Sequence, residues 1–521
     1  MKKNILSLQV FLLVTFTSFC QEINLTWGPE KEAQKSNIEL GYVGRVKDHF
    51  YTLRKQEKVM YLAKTRIKDM SLVFDKPIQW NEGRKNTDDS NLSFKSFRLF
   101  KDHFLFYFED YSSKDDQERL YAQKINFDGV AVDVLQELGA RKKERRSKDG
   151  SFDLVYSADS SNFLLVTNPA YDKYSNEKFY FTVFNSKLKS LHSLETTLPF
   201  ADKNFKVESI TLSKSKVIHI LAMITLPKKE RKEDEAAYYY EVISIDPNEK
   251  GKAKEFEVKL DKRYVDDVDL ILDDKDNLKC FGFYADMDDN GRRRGGINGV
   301  FYFAVVNGKP SNISMKQFDS KFVEEIAGKR RANKNKGIGS YFALKNFFNK
   351  PDGGAMVVAE EAFVEVVSSR NGTTYYYHYN SIVAVNIDPK GNIIWYAHVP
   401  KKQMIVNDSR FGSFYAMYVK GKLYLIYNDH VKNAVMKNYD YSMTNYLKSA
   451  PVVVTLNAEG KSDKKPIGDP AAKKDFTLKP NASDRISHRE AFFYADRLSK
   501  SCCVIGARKT KTQRFGILTI Q

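Results

Sequence analysis

The chain has 521 residues, 42% hydrophobic and 13% aromatic, with a formal net charge of +18. That composition is too apolar for a disordered chain and sufficient for a large core, and its wealth of tyrosine and phenylalanine favours strands over helices. No DNA- or RNA-binding motif accompanies the basic charge, so nucleic acid is not expected as a partner.

Residues 1–20 read as a secretory signal: Lys2 and Lys3, an apolar run over 5–16, then Ser18, Phe19 and Cys20, with cleavage before Gln21. A lipoprotein acylated at Cys20 is the second reading, disfavoured because Phe19 is bulkier than the small residue such a site takes. The apolar run is too short to span a bilayer, and no other stretch is long enough. The mature chain is therefore expected outside the cytoplasm, whether in the periplasm, on the outer-membrane surface or secreted. Its net charge stays near +16, which suits an acidic polysaccharide, lipopolysaccharide or another polyanion; the competing reading is solvated basic loops. Beyond the signal, Cys280, Cys502 and Cys503 form an odd set that argues against a disulfide framework. Cys502 and Cys503 are adjacent in an apolar strand-like run, SCCVIGA, and are expected to face opposite sides as buried thiols.

In chain order, EINLTW at 22–27 is a strand with no unit of its own. Strand-rich units follow at 38–78, 92–138, 152–199, 205–260 and 265–318. Residues 319–335 then read as an amphipathic helix, with Phe322, Val323 and Ile326 on one face, inserted between two units. The sixth unit spans 339–403 and the seventh 411–464. The last, 483–521, supplies three strands: REAFFYAD, SCCVIGAR and RFGILTIQ.

The sixth unit is the clearest. Asp352-Gly353-Gly354 is a turn, and 355–367 reads as one long bent strand or two short ones. Asn371-Gly372 marks a hairpin. The tyrosine run Tyr375–Tyr379 and SIVAVNI at 381–387 read as successive strands. Asp388-Pro389-Lys390-Gly391 turns the chain into a last strand at 392–399. Looser copies carry Asp128-Gly129, Asp246-Pro247 and Asn307-Gly308 at the turn, and another lies at 451–461. A repeat of roughly 55–65 residues with four strands each is the signature of a β-propeller. The expected fold is all-β: a single propeller domain over 21–521, of about eight four-stranded blades with seven as the alternative. The solitary strand at 22–27 would complete the last blade.

The chemistry is less legible. Asp286, Asp288, Asn290 and Gly291 match half a calcium loop, but Ile297 stands where a glutamate is required and Arg292, Arg293 and Arg294 follow; a polar hairpin fits better. The eight histidines show no metal-ligand spacing, and the sequence holds no G-x-S-x-G elbow, P-loop or G-x-G-x-x-G. SKDGSF at 147–152 lacks the spacing of an aspartate-box turn. No catalytic residue, metal or cofactor is expected. Among the many carboxylates, Glu360, Glu361 and Glu365 are the first to test for a glycosidase pair, against the plainer reading of an exposed strand face. The expected ligand surface is Tyr375, Tyr376, Tyr377, His378 and Tyr379, followed by Lys401, Lys402, Asn407, Asp408 and Arg410. Tyrosine rings stack on sugars or peptides and lysines hold anions; ordinary strand packing is the competing reading.

GFYADMDDNG with GVFYF, DGGAMVVAEE, the tyrosine run, SIVAVNIDPKGNIIWYAHVPKKQ and KLYLIYNDH resemble a family of uncharacterised secreted β-propeller-like proteins of the Bacteroidetes. The resemblance covers most of the mature chain and implies an extracytoplasmic propeller with no assigned activity. The expected function is a non-enzymatic binding module for a glycan, a peptide or an envelope protein. The alternatives are a polysaccharide hydrolase or lyase working in the central channel, and an envelope component docked through the inserted helix.

Overall fold

The structure is a computed structural model and describes residues 23–32, 37–81, 92–143, 149–232, 235–249, 251–260, 262–306, 309–370, 372–435, 441–444, 448–468, 477–498 and 510–521. Residues 1–20, read as a leader, and the run SCCVIGAR with Cys502 and Cys503, expected as a strand, lie outside them. Among the described residues, eight antiparallel sheets of four or more strands succeed one another along the chain. Blades 1–8 occupy 37–77, 93–142, 151–201, 205–258, 263–317, 342–406, 415–466 and 477–520. The first strands of neighbouring blades lie side by side around an axis, as in Phe205–Leu212, Arg263–Leu272 and Phe342–Asn349. The fold is an eight-bladed β-propeller.

Blade order follows from burial. Second strands such as Asn162–Asn168 and Leu278–Met287 are buried along nearly their whole length, because adjoining blades cover both faces. Eight apolar clusters lie between successive blades; Val357, Ala359, Val383 and Val385 meet Phe281, Phe283 and Val300 between blades 5 and 6.

Two local devices recur. Asn126, Asn185, Asp273, Asp288, Asp388 and Asn457 each open a turn in which the side chain accepts the amides two and four residues on, as Asp388 does from Lys390 and Asn392. The fourth residue then takes positive φ; it is Gly129, Gly291, Gly391 and Gly460 in four cases, Leu188 and Asp276 in the others. The half calcium loop is thus a turn, and its Asp286 pairs with Arg263 at 2.9 Å. The second device is a β-bulge near the start of five first strands, leaving Leu40, Lys95, Glu208, Asp266 and Lys345 as the extra residues. Four of these are charged, and each meets an opposite charge: Lys95 with Glu109, Glu208 with Lys206, Asp266 with Arg293 and Lys345 with Glu360.

The final blade is built from both ends of the chain. Ile23–Trp27 pairs antiparallel with Thr510–Ile520, which pairs with Glu490–Leu498. The innermost positions are filled by Thr477–Leu478 and Asp484–Arg485, so this blade begins earlier than the 483 expected from sequence. The inserted helix is two helices, α1 (Ser320–Ala327) and α2 (Lys329–Ala332), broken at Gly328 with φ +84°. Asp319 caps α1 by accepting the Phe322 amide at 2.9 Å. Phe322 and Val323 pack onto blade 6, where the Phe322 and Tyr396 rings lie 4.5 Å apart. The apolar face of α1 is therefore covered by its own propeller, which removes it as a docking element.

Blade 6 corrects a second expectation. Residues 352–402 hold three strands and not four. Ala355–Ser369 is one strand, the long one of the two readings of 355–367, and Gly372–Ile387 is one strand containing both the tyrosine run and SIVAVNI, with a bulge where Asn380 and Ser381 face Glu361. Asn380 and Ser381 interrupt the apolar pattern without breaking the backbone. The outer halves of these strands run past Phe342–Asn349 as a projecting hairpin arm, and Gln403–Val406 pairs along Tyr376–Tyr379 as its third strand. No helix among the described residues is long and apolar enough to cross a membrane.

Candidate functional site

The seam between blades 8 and 1 is packed differently from the other junctions. Its apolar cluster has four buried members, Phe50, Met70, Phe492 and Ile517, with Tyr42, Tyr494 and Phe515 against them. Phe492 stacks on Tyr42 at 5.0 Å and on Phe515 at 5.5 Å. Beside this cluster lies a cleft of about 990 Å³, against about 490 Å³ between blades 3 and 4 and about 720 Å³ between blades 4 and 5. It reaches from Lys31 and Glu32 on the outer side of blade 8 to Lys479, Asn481 and Asp484 on its inner side.

Charged side chains line the cleft from both blades. On blade 1, Glu39 stands directly across from Arg54, whose guanidinium reaches Asp75 at 3.1 Å and Gln56 at 2.9 Å and lies 3.9 Å over the Tyr61 ring. On blade 8, Lys479 is buried against Asp496 at 2.7 Å. Arg410 arrives from the connection between blades 6 and 7, held by Asp408 at 2.7 and 2.9 Å. Burial raises the Glu39 carboxyl above its usual range, against the pull of Lys31 and Arg54. Asp484 is reached by solvent inside the cleft yet ringed by protein, and desolvation pushes it up to about 6. The Tyr494 phenol is pushed well above its usual value by burial, with the Glu39 and Asp484 carboxylates adding to the shift. Its hydroxyl has no hydrogen-bond partner among the described residues. The cleft thus offers cations and two carboxyls biased toward the protonated form, and its wall holds the buried, unsatisfied Tyr494 phenol.

The residues expected from sequence divide between this cleft and the arm. Arg410 lines the cleft and Asp408 fixes it. Tyr379 is buried with Ile405 and Met443 at the base of the arm, and its hydroxyl meets the Nδ2 of cleft-lining Asn481 at 3.4 Å. Strand alternation splits the remaining run. Tyr375 and Tyr377 share one face, their rings 6.4 Å apart, while Tyr376 and His378 occupy the other, where His378 stacks on Phe363 at 4.4 Å. The five residues are not one stacking platform. Asn407 accepts the Tyr375 amide at 2.8 Å, and Lys402 is exposed.

Lys401 does not present its ammonium to solvent. It is fully buried, 2.8 Å from Glu360, and donates to the Tyr379 carbonyl at 2.7 Å and to Gln403 at 3.1 Å. Ser413 donates to Glu360 at 2.6 Å. Gln403 continues the network to the Asn428 carbonyl, and Asn428 donates to Phe411 and Leu478 carbonyls, so blades 6, 7 and 8 are tied together. Nor do the three glutamates form a pair: Glu360 belongs to this buried ion pair, burial raises Glu361, and Glu365 stands out on the arm, 3.5 Å from His378.

Sequence reading missed Glu39, Arg54, Lys479, Asp484 and Tyr494. They come from opposite ends of the chain and share no local motif. The one available signal was charge on otherwise apolar strands, as at Glu39 within IELGYVG.

No protein family model and no curated protein matches the chain. Among solved structures, it is similar to the β-propeller domain of the Trilobed protease from Pyrococcus furiosus, with 9% identity and TM-score 0.34 over 87% of this chain and 98% of that one. It is similar to prolyl oligopeptidase B from Galerina marginata at 8% identity and TM-score 0.38, over 89% of this chain and 56% of that one. A post-proline cleaving enzyme from Rickettsia typhi matches at 9% identity and TM-score 0.38, over 88% and 57%. The chain spans about half the length of these last two. These are likenesses of propeller shape, and the fold assignment stands on the sheet order described above.

Proposed function

We propose that this protein is an extracytoplasmic binding propeller whose seam cleft takes an extended polar ligand, a glycan or a peptide bearing anionic groups. One observation carries the reading: the junction between blades 8 and 1 keeps a large charged cleft beside a small apolar cluster. Arg410 and Lys31 supply cations for a carboxylate or sulfate. Tyr494 holds in the cleft wall a buried hydroxyl without a partner among the described residues, a donor that a ligand would reach by displacing what covers it. The leader-like residues 1–20 and the basic charge support a place outside the cytoplasm, where acidic polysaccharides are met.

The test is calorimetric titration of residues 21–521 with neutral oligosaccharides, uronic-acid oligosaccharides and acidic peptides. An anionic member should bind, and Arg410→Ala and Tyr494→Phe should each weaken it at least about tenfold, the loss of about 1.4 kcal/mol. Unchanged binding in both variants would move the site elsewhere. A polysaccharide-active enzyme is the second reading, favoured by one feature: Asp484, with its carboxyl raised to about 6, is a general-acid candidate near Glu39. Release of shorter sugars from an oligosaccharide, abolished by Asp484→Asn, would establish it.

A further inference from the structure

The projecting arm of blade 6 points to a second surface, independent of the cleft. Beyond Ala362, the strand Ala355–Ser369 has left its neighbour Phe342–Asn349 behind: the last contact along that edge is the Ala362 amide on the Tyr341 carbonyl at 2.8 Å. Among the described residues, no strand runs beside Phe363–Ser368 on the edge that faced Phe342–Asn349. Edges of this kind are ordinarily guarded by lysine, proline, a bulge or a covering loop. Phe363–Ser368 carries no lysine or proline, its single charge is Glu365, and the bulge at the base of the arm belongs to the partner strand, where Asn380 and Ser381 face Glu361. Beside Glu365 and Ser368 the exposed side chains are apolar, with Val364 at 49%, Val366 at 54%, Val367 at 44% and the cross-strand Tyr375 at 43% accessibility. The arm also already accepts an added strand on its other edge, where Gln403–Val406 pairs antiparallel with Tyr376–Tyr379.

We propose that Phe363–Ser368 is a strand-addition site for an extended segment of a partner protein, running antiparallel in line with Phe342–Asn349, with apolar residues at alternate positions and a basic residue between them. Register defines that chemistry. Val364 and Val366 lie on the face of Tyr375 and Tyr377 and receive the alternate apolar side chains. Glu365 points to the opposite face and is the sole charge of the stretch, so the intervening residue of the added strand is basic. A second copy of this chain fits less well, because its edge would repeat Glu365 without offering a cation between its valines, on a chain of net charge +18.

The probe is a fluorescein-labelled peptide of sequence Thr-Val-Lys-Val-Thr-Val, read by anisotropy against the full mature chain. A glutamate-for-lysine peptide and a version N-methylated on its edge-facing amides serve as controls. The lysine peptide should bind at least tenfold more tightly than either control. Val366→Lys should abolish binding and Glu365→Lys should reverse the preference between the lysine and glutamate peptides, both with an unchanged melting curve. Asp484→Asn, in the cleft, should leave peptide binding unaltered, so failure here and failure of the cleft reading are separable. Equal binding of all three peptides, no binding of any, or no reversal in Glu365→Lys would overturn the proposal. So would a concentration-dependent dimer by light scattering that Val366→Lys dissolves, since the edge would then belong to a second copy.

Discussion

At Gly391 the backbone has φ +86°, and a Cβ there would come 3.1 Å from Tyr302 Cε1. Gly391→Ala should therefore cost about 1–2 kcal/mol in denaturant unfolding, from left-handed strain and the tight contact together. Glu241 behaves differently because its problem is charge. It is buried opposite Glu257, with Glu255 nearby, and desolvation followed by these two carboxylates pushes it up to about 7 from 4.5. The folded state holds this proton up to about pH 7, whereas an unfolded chain releases it near 4.5, so the group opposes folding increasingly as pH rises through that window. Glu241→Gln should stabilise the protein by on the order of 1–3 kcal/mol at pH 8 and have little effect at pH 4. At the buried ion pair, Lys401→Met leaves Glu360 with only the more distant Lys345 at 3.7 Å and should destabilise by about 3 kcal/mol, while adding Glu360→Leu should recover part of the loss. That lysine also shows where residue-level reading stops. A lysine after a strand reads as solvent-exposed; its role is set by Glu360, 41 positions earlier, and by Tyr379 and Gln403, which only the fold assembles.

At the scale of elements, the sequence spoke most clearly in its turns. Asp388-Pro389-Lys390-Gly391 and its relatives are read from side chains that bond their own backbone, so blade boundaries could be placed to within a few residues. The bulges were not legible: Lys95, Glu208, Asp266 and Lys345 resemble ordinary strand residues, and only cross-strand register reveals the extra position. The arm was half legible. Its hairpin dipeptide and tyrosines were evident, but the continuity of Gly372–Ile387 through Asn380 and Ser381 follows from pairing with Ala355–Ser369. The cores flanking blade 6 draw on Ala359 and Ile382 but on nothing farther along the arm. Replacing 364–377 by a two-residue turn should accordingly leave a folded propeller with native circular dichroism. Its melting temperature should fall by only a few degrees, through loss of pairing to Gln403–Val406.

For the molecule as a whole, closure depends on five residues. Ile23–Trp27 supplies the outer strand of blade 8, with Trp27 under the Arg514 guanidinium at 4.0 Å. Removing residues 23–27 should expose the edge of Thr510–Ile520, raise hydrogen exchange across blades 8 and 1, and produce strand-exchanged oligomers in size-exclusion chromatography. The propeller class and the role of this strand were readable because every other unit had its four strands while the first and last segments did not. The seam cleft was not readable, because blade 1 and the residues facing it across the cleft are hundreds of positions apart in sequence, as Glu39 and Asp484 illustrate.

The register of that joint has a mechanical consequence. Ile23 lies opposite Ile520 and Trp27 opposite Gly516, so the start of the first strand and the finish of the second lie at the same corner. Tension between those ends would act across the ladder and part its rungs one after another, as a zipper opens, instead of shearing all of them at once. A tether at either end would therefore load first the junction that borders the charged cleft.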